Sequence, residues 1–230
     1  MLPLRVLGAM ASIQIRGGRA VAWIYNKAWA RYGLHWFDHR FDFLSGPQSW
    51  YWQERGVLGS QAIRPGDKVL DLCCGEGFYD LTYFSRRAGR IDALDIDSRA
   101  IQIASFRNHC PNVNFYLRDV VHDDFPDTNY DAVLCFSALQ QLTETQLDDL
   151  LRKIPRILKP SGLFFGSVSV TPDNGVFVSE DRIRSPFSRY FQSIELNFSP
   201  WPNGRIEWYF RCQRPLSRHA ASQPGEIPRP

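Results

Sequence analysis

The sequence predicts an α/β fold: a Rossmann-like, doubly wound, mostly parallel sheet of seven strands that closes with an antiparallel hairpin. Short apolar segments alternate with helical patterns through the middle of the chain, which is typical of a parallel sheet covered on both faces. The first strand, beginning at Lys68, runs into a glycine-rich turn and then a helical pattern. Near the end, residues 193–198 and 205–212 form two strand patterns around the turn sequence Pro-Asn-Gly at 202–204, which predicts the hairpin.

The parallel part of the sheet is predicted to contain five strands. Each is a short apolar run, at residues 68–71, 90–95, 113–117, 130–136 and 163–168. The fifth follows a predicted turn at residues 159–162. The helix before it is the best-defined element, because Thr143 and Gln146 form a capping-box pattern. An apolar stripe at helical spacing follows: Leu147, Leu150, Leu151, Ile154 and Leu158.

Composition narrows the class of protein. The chain has 230 residues, 44% of them hydrophobic and 22% charged, which is ordinary for a globular protein with one sizeable core. A formal charge of +3 gives no strong nucleic-acid signal, and no apolar run approaches the roughly 18 residues of a transmembrane helix. Five cysteines without framework spacing or a CxxC pair predict reduced thiols, no metal site and a cytoplasmic protein.

Three regions are predicted: an N-terminal helical lead at residues 1–51, the sheet domain at 52–214 and a disordered Pro-rich tail at 215–230. The lead contains five basic residues before the first acid, Asp38. We interpret it as a basic amphipathic helix. The alternative is an organellar transit peptide, which would change the predicted compartment.

The turn after the first strand carries the chemistry. Gly75 and Gly77 lack the Cβ that would keep a ligand away from the backbone, and Asp71 offers an acceptor for a positively charged ligand group. Asp95 ends the second strand 18 positions after Gly77, close to the spacing of about 20 expected for an acid that binds ribose hydroxyls.

At this point the chain resembles the class I S-adenosylmethionine-dependent methyltransferases of the small, single-domain type. The resemblance covers roughly residues 52–214. It is carried by five segments in the family's order: VLDLCCGEG, ALDIDSRAIQIA, NFYLRDVVHDDFP, YDAVLCFSALQQL and LLRKIPRILKPSGLFFGS. The resemblance implies an enzyme with S-adenosyl-L-methionine as cofactor. The implied reaction is in-line methyl transfer to a small-molecule or lipid-like acceptor.

The resemblance also implies a set of cofactor-binding residues. They are Asp71, Cys73, Gly75, Gly77, Asp95, Ile96, Asp119, Val120, Cys135 and Phe136. Asp71 is expected at the cofactor's ammonium, Asp95 at both ribose hydroxyls, and Asp119 with the Val120 N–H at the adenine. Two positions depart from the family pattern. Cys73 replaces its first glycine, and Gln140-Gln141 stand where relatives often have two histidines.

The catalytic residue is left unknown. Candidates for a general base are His35, His39, Tyr51, Glu54, Tyr79 and Gln141.

Aromatic residues between positions 36 and 52 either shape an apolar acceptor pocket as a lid or pack the lead onto the sheet. Alternative functions are a non-catalytic cofactor-binding module, a methyltransferase acting on protein or RNA, and a nicotinamide dehydrogenase. A nicotinamide dehydrogenase is expected to have a third glycine near position 80, but the sequence has Asp80 there. The acceptor and the oligomeric state are unknown.

Overall fold

The computed structural model describes residues 48–170, 179–200 and 206–216, with side chains from residue 52 onward. Most of the predicted lead and tail, including His35, His39 and the side chain of Tyr51, lies outside the described residues. The chain divides into two units, Met1–Arg55 and Gly56–Pro230. The second unit contains the sheet domain.

Helices and strands alternate along the described part of the chain as predicted. The helices are α1 (Gln48–Ala62), α2 (Ser98–Arg107), α3 (Glu144–Ile157) and α4 (Glu180–Ser188), with a π-helical turn at Asp80–Phe84 and a 3₁₀ turn at Leu139–Gln141. The strands are β1 (Lys68–Leu72), β2 (Arg90–Asp95), β3 (Val113–Leu117), β4 (Tyr130–Phe136), β5 (Leu158–Val170), β6 (Phe191–Pro200) and β7 (Ile206–Pro215).

These strands form one sheet in the order β3-β2-β1-β4-β5-β7-β6. The first five strands of that order pair in parallel, while β7 is antiparallel to both β5 and β6. The predicted fold class is therefore confirmed, including the closing hairpin. The strand order reverses at β1, which lies between β2 and β4. In open α/β sheets, ligands bind beyond the carboxyl ends of the strands at such a switch point.

One local prediction was wrong. Residues 159–162 were expected to form a turn before the fifth strand, but they lie within the bounds of β5, Leu158–Val170. The pairing of β4 with β5 shifts register between Tyr130 and Ala132, so this first part of β5 is irregular. Pro160 cannot donate to a ladder, which is consistent with such an irregularity.

Helix α3 forms as its sequence indicates. The Thr143 hydroxyl accepts from the Gln146 N–H at 3.3 Å, and the Gln146 side chain accepts from the Thr143 N–H at 3.0 Å. The predicted apolar stripe is buried against the sheet. No helix within the described ranges is both long and apolar enough to span a bilayer.

Candidate functional site

The loop after β1 contains three residues in the left-handed backbone region. Their φ angles are 58° at Cys73, 57° at Gly75 and 69° at Gly77. This conformation costs glycine little, but it is strained for a residue with a Cβ. The loop therefore keeps the geometry that the family's glycine would allow, even though Cys73 occupies its first position.

The two glycines serve different purposes. A Cβ on Gly77 would come within 2.5 Å of the Phe115 ring and 3.3 Å of the Ala104 Cβ, so Gly77 permits the loop to pack on β3 and α2. A Cβ on Gly75 would meet no atom of the described residues within 4 Å. Gly75 thus leaves the backbone accessible at an open surface, as a bound ligand would require.

Asp95, at the carboxyl end of β2, holds this loop in place. Its Oδ2 accepts a hydrogen bond from the Gly75 N–H at 2.7 Å, and its Oδ1 accepts from the Asp97 N–H at 2.8 Å. The Cys74 N–H adds a bond to the Leu94 carbonyl at 2.9 Å. Each carboxylate oxygen has further acceptor capacity, so Asp95 can hold the loop and still accept from a ligand hydroxyl.

A pair of buried carboxyl groups, Asp71 and Asp80, lies beside the loop. Asp71 is 2% exposed and Asp80 is fully buried. Burial, followed by the charge of Asp80, raises the pKa of Asp71 well above its usual value, and burial raises the pKa of Asp80 to about 7. Among the described residues, no donor makes a hydrogen bond of ordinary geometry to either Asp80 oxygen. The two carboxyls interact with each other, and the raised pKa of each favours retention of a proton by the pair, which a nearby cation would oppose.

A π-helical turn begins at Asp80 and ends at Phe84. The Ser85 N–H donates to the Asp80 carbonyl at 2.9 Å, five residues back, instead of to the residue four back. Such wide turns are rare and occur often at functional sites. The sequence predicted an ordinary helix here. Asp80 entered that prediction only because it stands where a nicotinamide dehydrogenase would have a third glycine.

Two cysteines at the loop, Cys74 and Cys135, lie in environments that disfavour their thiolate forms. The Cys135 thiol, at the end of β4, hydrogen-bonds with the Cys73 thiol, and this contact together with burial raises its pKa well above the usual value. Burial also raises the pKa of the Cys74 thiol. Because the thiolate is the reactive form, these environments disfavour cysteine-based covalent catalysis. All five cysteines are unpaired thiols, as expected from the sequence.

Asp119 begins the loop after β3 and is engaged within its own turn. Its Oδ2 lies 2.7 Å from the His122 Nδ1, and its Oδ1 accepts from the Val121 N–H at 2.8 Å. The hydrogen bond with His122 is the largest cause of the lowered pKa of Asp119. The neighbouring Val120 is buried.

Lys153, on helix α3, holds the loop after β3 through hydrogen bonds to its backbone. Its ammonium donates to the carbonyls of Val120 at 3.1 Å and Val121 at 3.2 Å, and also to that of Asp123. The same ammonium lies 4.5 Å from the centre of the Phe125 ring. The sequence gives no local sign of this role, since nothing near Lys153 in the chain shows that its three donors meet three carbonyls.

Two apolar side chains are exposed at the carboxyl ends of neighbouring strands. Ile96, directly after β2, is 68% exposed, and Leu117, the last residue of β3, is 51% exposed. Asp95 and Leu117 are register partners, so these side chains stand at the same edge of the sheet. Sequence reasoning proposed Ile96 but missed Leu117, whose exposure depends on the strand register.

Phe136 is a packing residue in this structure. It is 8% exposed, and its ring lies 5.6 Å from that of Tyr79, 6.1 Å from Phe84 and 5.9 Å from Phe165. Of the candidate bases within the second unit, Tyr79 is buried in this aromatic cluster, whereas Gln141 is exposed after β4.

Comparison with known proteins identifies the family to which this glycine loop and its sheet are similar. Residues 69–162 match the family described as "Methyltransferase domain". The chain carries a methyltransferase domain. The matched range contains the glycine loop, Asp95, the Asp119 loop and β4, so it includes every predicted cofactor-binding residue. The family expected from the five sequence segments is confirmed.

Two relatives and one solved structure illustrate the similarity. A 2-phytyl-1,4-naphthoquinone methyltransferase of Nostoc is 29% identical over 54% of this chain and 56% of the relative. A ubiquinone/menaquinone biosynthesis C-methyltransferase of Azotobacter vinelandii is 31% identical over 63% of this chain and 56% of the relative. The N-methyltransferase NodS of Bradyrhizobium japonicum, solved with S-adenosyl-L-homocysteine, superposes with a TM-score of 0.57 at 15% identity, covering 70% of this chain and 86% of NodS.

The methyltransferase domain is thus the part of the chain that these proteins share. The chain spans little more than half the length of the two curated relatives. At 15% identity, the NodS superposition supports the fold of the domain.

Proposed function

We propose that the protein is an S-adenosylmethionine-dependent methyltransferase that acts on a small-molecule or lipid-like acceptor. The observation that carries the proposal is the loop of Gly75 and Gly77 fastened to Asp95 within a domain of the methyltransferase family. The open surface beside Gly75 is the place where a Cβ would obstruct a ligand, and it fits the approach of a cofactor to the backbone.

In this proposal, different residues bind different parts of the cofactor. Asp71, with Asp80, receives the ammonium, because a buried carboxyl pair with one proton becomes fully charged beside a cation. Asp95 accepts from the two ribose hydroxyls while it retains the Gly75 bond. The exposed Ile96 and Leu117 cover the adenine ring.

In the same proposal, Asp119 accepts a hydrogen bond from the adenine amino group, and the Val120 N–H donates one to an adenine ring nitrogen. The Cys73–Cys135 contact and Phe136 line the end of β4 nearest the methyl group. When bound, S-adenosylmethionine supplies a sulfonium methyl that a nucleophile can displace in line. The protein's residues hold the two reactants in alignment and exclude water from the approach line.

A quinone-type ring is the acceptor class that the comparisons support best. Both curated relatives described above are named for quinone substrates or quinone biosynthesis. An apolar acceptor is also consistent with the lack of a strong nucleic-acid signal in the composition.

The test is transfer of radiolabel from methyl-labelled S-adenosylmethionine to 2-phytyl-1,4-naphthoquinone, reduced chemically to the quinol. We expect labelled product with the full chain and none with the Gly75→Val variant, whose side chain would fill the open surface. The same protein incubated with total protein and total RNA distinguishes a macromolecular acceptor. Cofactor binding without transfer to any acceptor would instead indicate a non-catalytic binding module.

A further inference from the structure

The 3₁₀ turn after β4 contains a buried hydrogen-bond acceptor that lacks a donor. Gln140 lies in this turn, Leu139–Gln141, and is half-buried. Its amide nitrogen donates to the Ser137 carbonyl at 2.8 Å and to the Ser137 hydroxyl at 3.1 Å. Its amide oxygen is buried and has no hydrogen-bond partner among the described residues. Buried polar atoms are satisfied in the great majority of cases, so this exception indicates a missing partner.

The Gln140 amide cannot be turned around to remove this exception. A carbonyl oxygen only accepts hydrogen bonds, so the Ser137 carbonyl requires the nitrogen of the Gln140 amide and not its oxygen. Exchanging the two ends would bring two acceptors together and leave the nitrogen in the buried position instead. The partner that Gln140 lacks is therefore a donor.

A second unsatisfied group is connected to the same residue. The hydroxyl of Ser167, on β5, is fully buried and also has no partner within the part of the chain that the structure describes. The Ser167 carbonyl accepts from the Ser137 N–H at 2.8 Å, so Gln140 and Ser167 bind the two backbone groups of Ser137. Other polar side chains here are engaged, because the Ser137 and Ser169 hydroxyls lie 2.9 Å apart and Ser169 donates to Glu207.

Aromatic rings lie on the same face of the sheet as the Ser167 side chain. Ser167 pairs in register with Phe136 on β4 and with Tyr209 on β7, so the three side chains share one face. The Phe136 ring lies 5.9 Å from that of Phe165, which stacks on Tyr209 at 6.5 Å. Small-molecule sites combine such apolar walls with a few polar groups that fix the orientation of the ligand.

The position of Gln140 connects it to the proposed cofactor loop. Cys135, near the end of β4, pairs in register with Leu72 of β1, and the loop begins at the next residue, Cys73. Gln140 stands beyond the same end of β4, at the carboxyl edge of the sheet where open α/β folds bind ligands. A ring bound at Gln140 would therefore lie beside the strand end to which the reactive methyl group is assigned.

We propose that Gln140 recognises the methyl acceptor by accepting a hydrogen bond from a hydroxyl group on the acceptor's aromatic ring. This role rests on the proposed function and specifies its acceptor class. The quinone-type ring proposed above offers a donor only when it is reduced to the quinol, since the oxygens of the oxidised ring can only accept. Gln140 thus selects a hydroxylated ring over the same ring without hydroxyl protons.

The test compares Gln140→Lys with Gln140→Glu in the full chain, saturated with S-adenosylhomocysteine. Lysine keeps a donor for the Ser137 carbonyl but has no acceptor, whereas glutamate keeps the acceptor but loses the donor. Anaerobic calorimetry measures the affinity of each protein for 2-phytyl-1,4-naphthoquinone and for its quinol, both presented in detergent micelles. Gln102→Lys, at an exposed position of α2, controls for the added charge.

Recognition and a purely structural role predict opposite orders for the two variants. The wild type, Q102K and Q140E should bind the quinol at least about tenfold more tightly than the quinone, because a site built to bond a hydroxyl rejects the analogue that lacks it. Q140K, without the acceptor, should bind the two forms within about threefold of each other. Under a structural role, Q140K would retain the preference and Q140E would lose it. A wild type without the preference, or a Q140K variant that retains it, overturns the recognition by Gln140.

Two further outcomes distinguish this recognition from the proposed function. A wild type that does not bind S-adenosylhomocysteine contradicts the proposed function and overturns both. If S-adenosylhomocysteine binds but neither form of the probe does, the quinone-type acceptor fails, and the comparison is repeated with 1-naphthol and its methyl ether. Recognition by Gln140 is then supported only if the wild type prefers the naphthol and Q140K does not; any other result overturns it.

Discussion

The Asp95 carboxylate accepts a hydrogen bond from the Gly75 N–H at 2.7 Å. This contact joins the end of β2 to the loop that follows β1, so the residue assigned to the ribose also shapes the backbone that the cofactor is proposed to approach. The loop therefore depends on Asp95 before any cofactor binds. The sequence indicated a ribose-binding acid from its spacing alone, and this second role could not be read from spacing.

We expect Asp95→Ala to weaken S-adenosylhomocysteine binding at least about tenfold. Hydrogen bonds to a charged group are worth roughly 1.5–3 kcal/mol each, and about 1.4 kcal/mol corresponds to a factor of ten. The free energy of unfolding should also fall by about 1–3 kcal/mol, because the Gly75 N–H loses its acceptor. Calorimetry gives the affinity and urea unfolding gives the stability.

The control for that substitution is Asp97→Ala. Asp97 caps helix α2 by accepting from the Arg99 N–H at 2.8 Å, so its loss should cost about 1 kcal/mol of stability while affinity stays near the wild-type value. Equal affinities for the D95A variant and the wild type would contradict the assignment of Asp95 to the ribose.

The sequence was most informative where a signal is local. Strand β2 with its terminal acid, and the capping box of Thr143 and Gln146, each depend on residues a few positions apart, and both form as predicted. Hydrophobic runs in the right order also define the parallel core, because a parallel sheet leaves few alternatives once helices separate its strands.

The remaining features required the tertiary structure. Asp80 interacts with Asp71 across the loop after β1, and Lys153 contacts the loop after β3 from a helix some thirty positions away. Glu207 joins Ser169 through the register of β5 with β7. Local composition does not determine such pairings, since each follows from packing between distant segments.

A second prediction concerns Lys153. Lys153→Met preserves most of the side chain's length but removes the donors to the carbonyls of Val120, Val121 and Asp123. Buried acceptors left unsatisfied cost about 1–3 kcal/mol, so we expect a loss of stability in that range and weaker cofactor binding through the displaced Asp119 loop. Urea unfolding and calorimetry measure the two effects.

Arg156→Met, on an exposed position of the same helix, is the control. It should leave both quantities within about 0.5 kcal/mol of the wild type. If K153M matched this control, the carbonyl contacts would have no role in holding the loop.

A third prediction concerns the choice of cofactor. S-adenosylmethionine and S-adenosylhomocysteine should raise the melting temperature of the wild-type protein, whereas NAD should not. A ligand that binds only the native state stabilises it by about 2.7 kcal/mol at 100 times its dissociation constant. The buried Asp80 occupies the place of a dinucleotide site's third glycine, where acidic character disfavours a pyrophosphate. A thermal shift with NAD alone would contradict the cofactor assignment.

The last prediction is a pH dependence of stability that originates in the Asp71–Asp80 pair. Burial raises the pKa of Asp80 to about 7, whereas in the unfolded chain this carboxyl titrates near 4. Between those values the native state holds a proton that the unfolded state has released. Stability from this group is therefore fully present below about pH 4 and is lost as pH rises toward 7, with a slope of at most about 1.4 kcal/mol per pH unit.

Asp80→Asn removes this titration, so the variant should gain stability relative to the wild type as pH rises from about 4 to 7. Urea unfolding of both proteins at one-unit pH steps measures the difference, in which contributions from groups that do not interact with Asp80 cancel. Asp71 does not cancel, because the charge of Asp80 is one cause of its raised pKa. Asp124→Asn makes the same change at an exposed position and controls for the loss of a carboxyl as such. A flat difference for D80N would mean that the pair is ionised in the native state, and that no proton is held there for a cofactor's ammonium to displace.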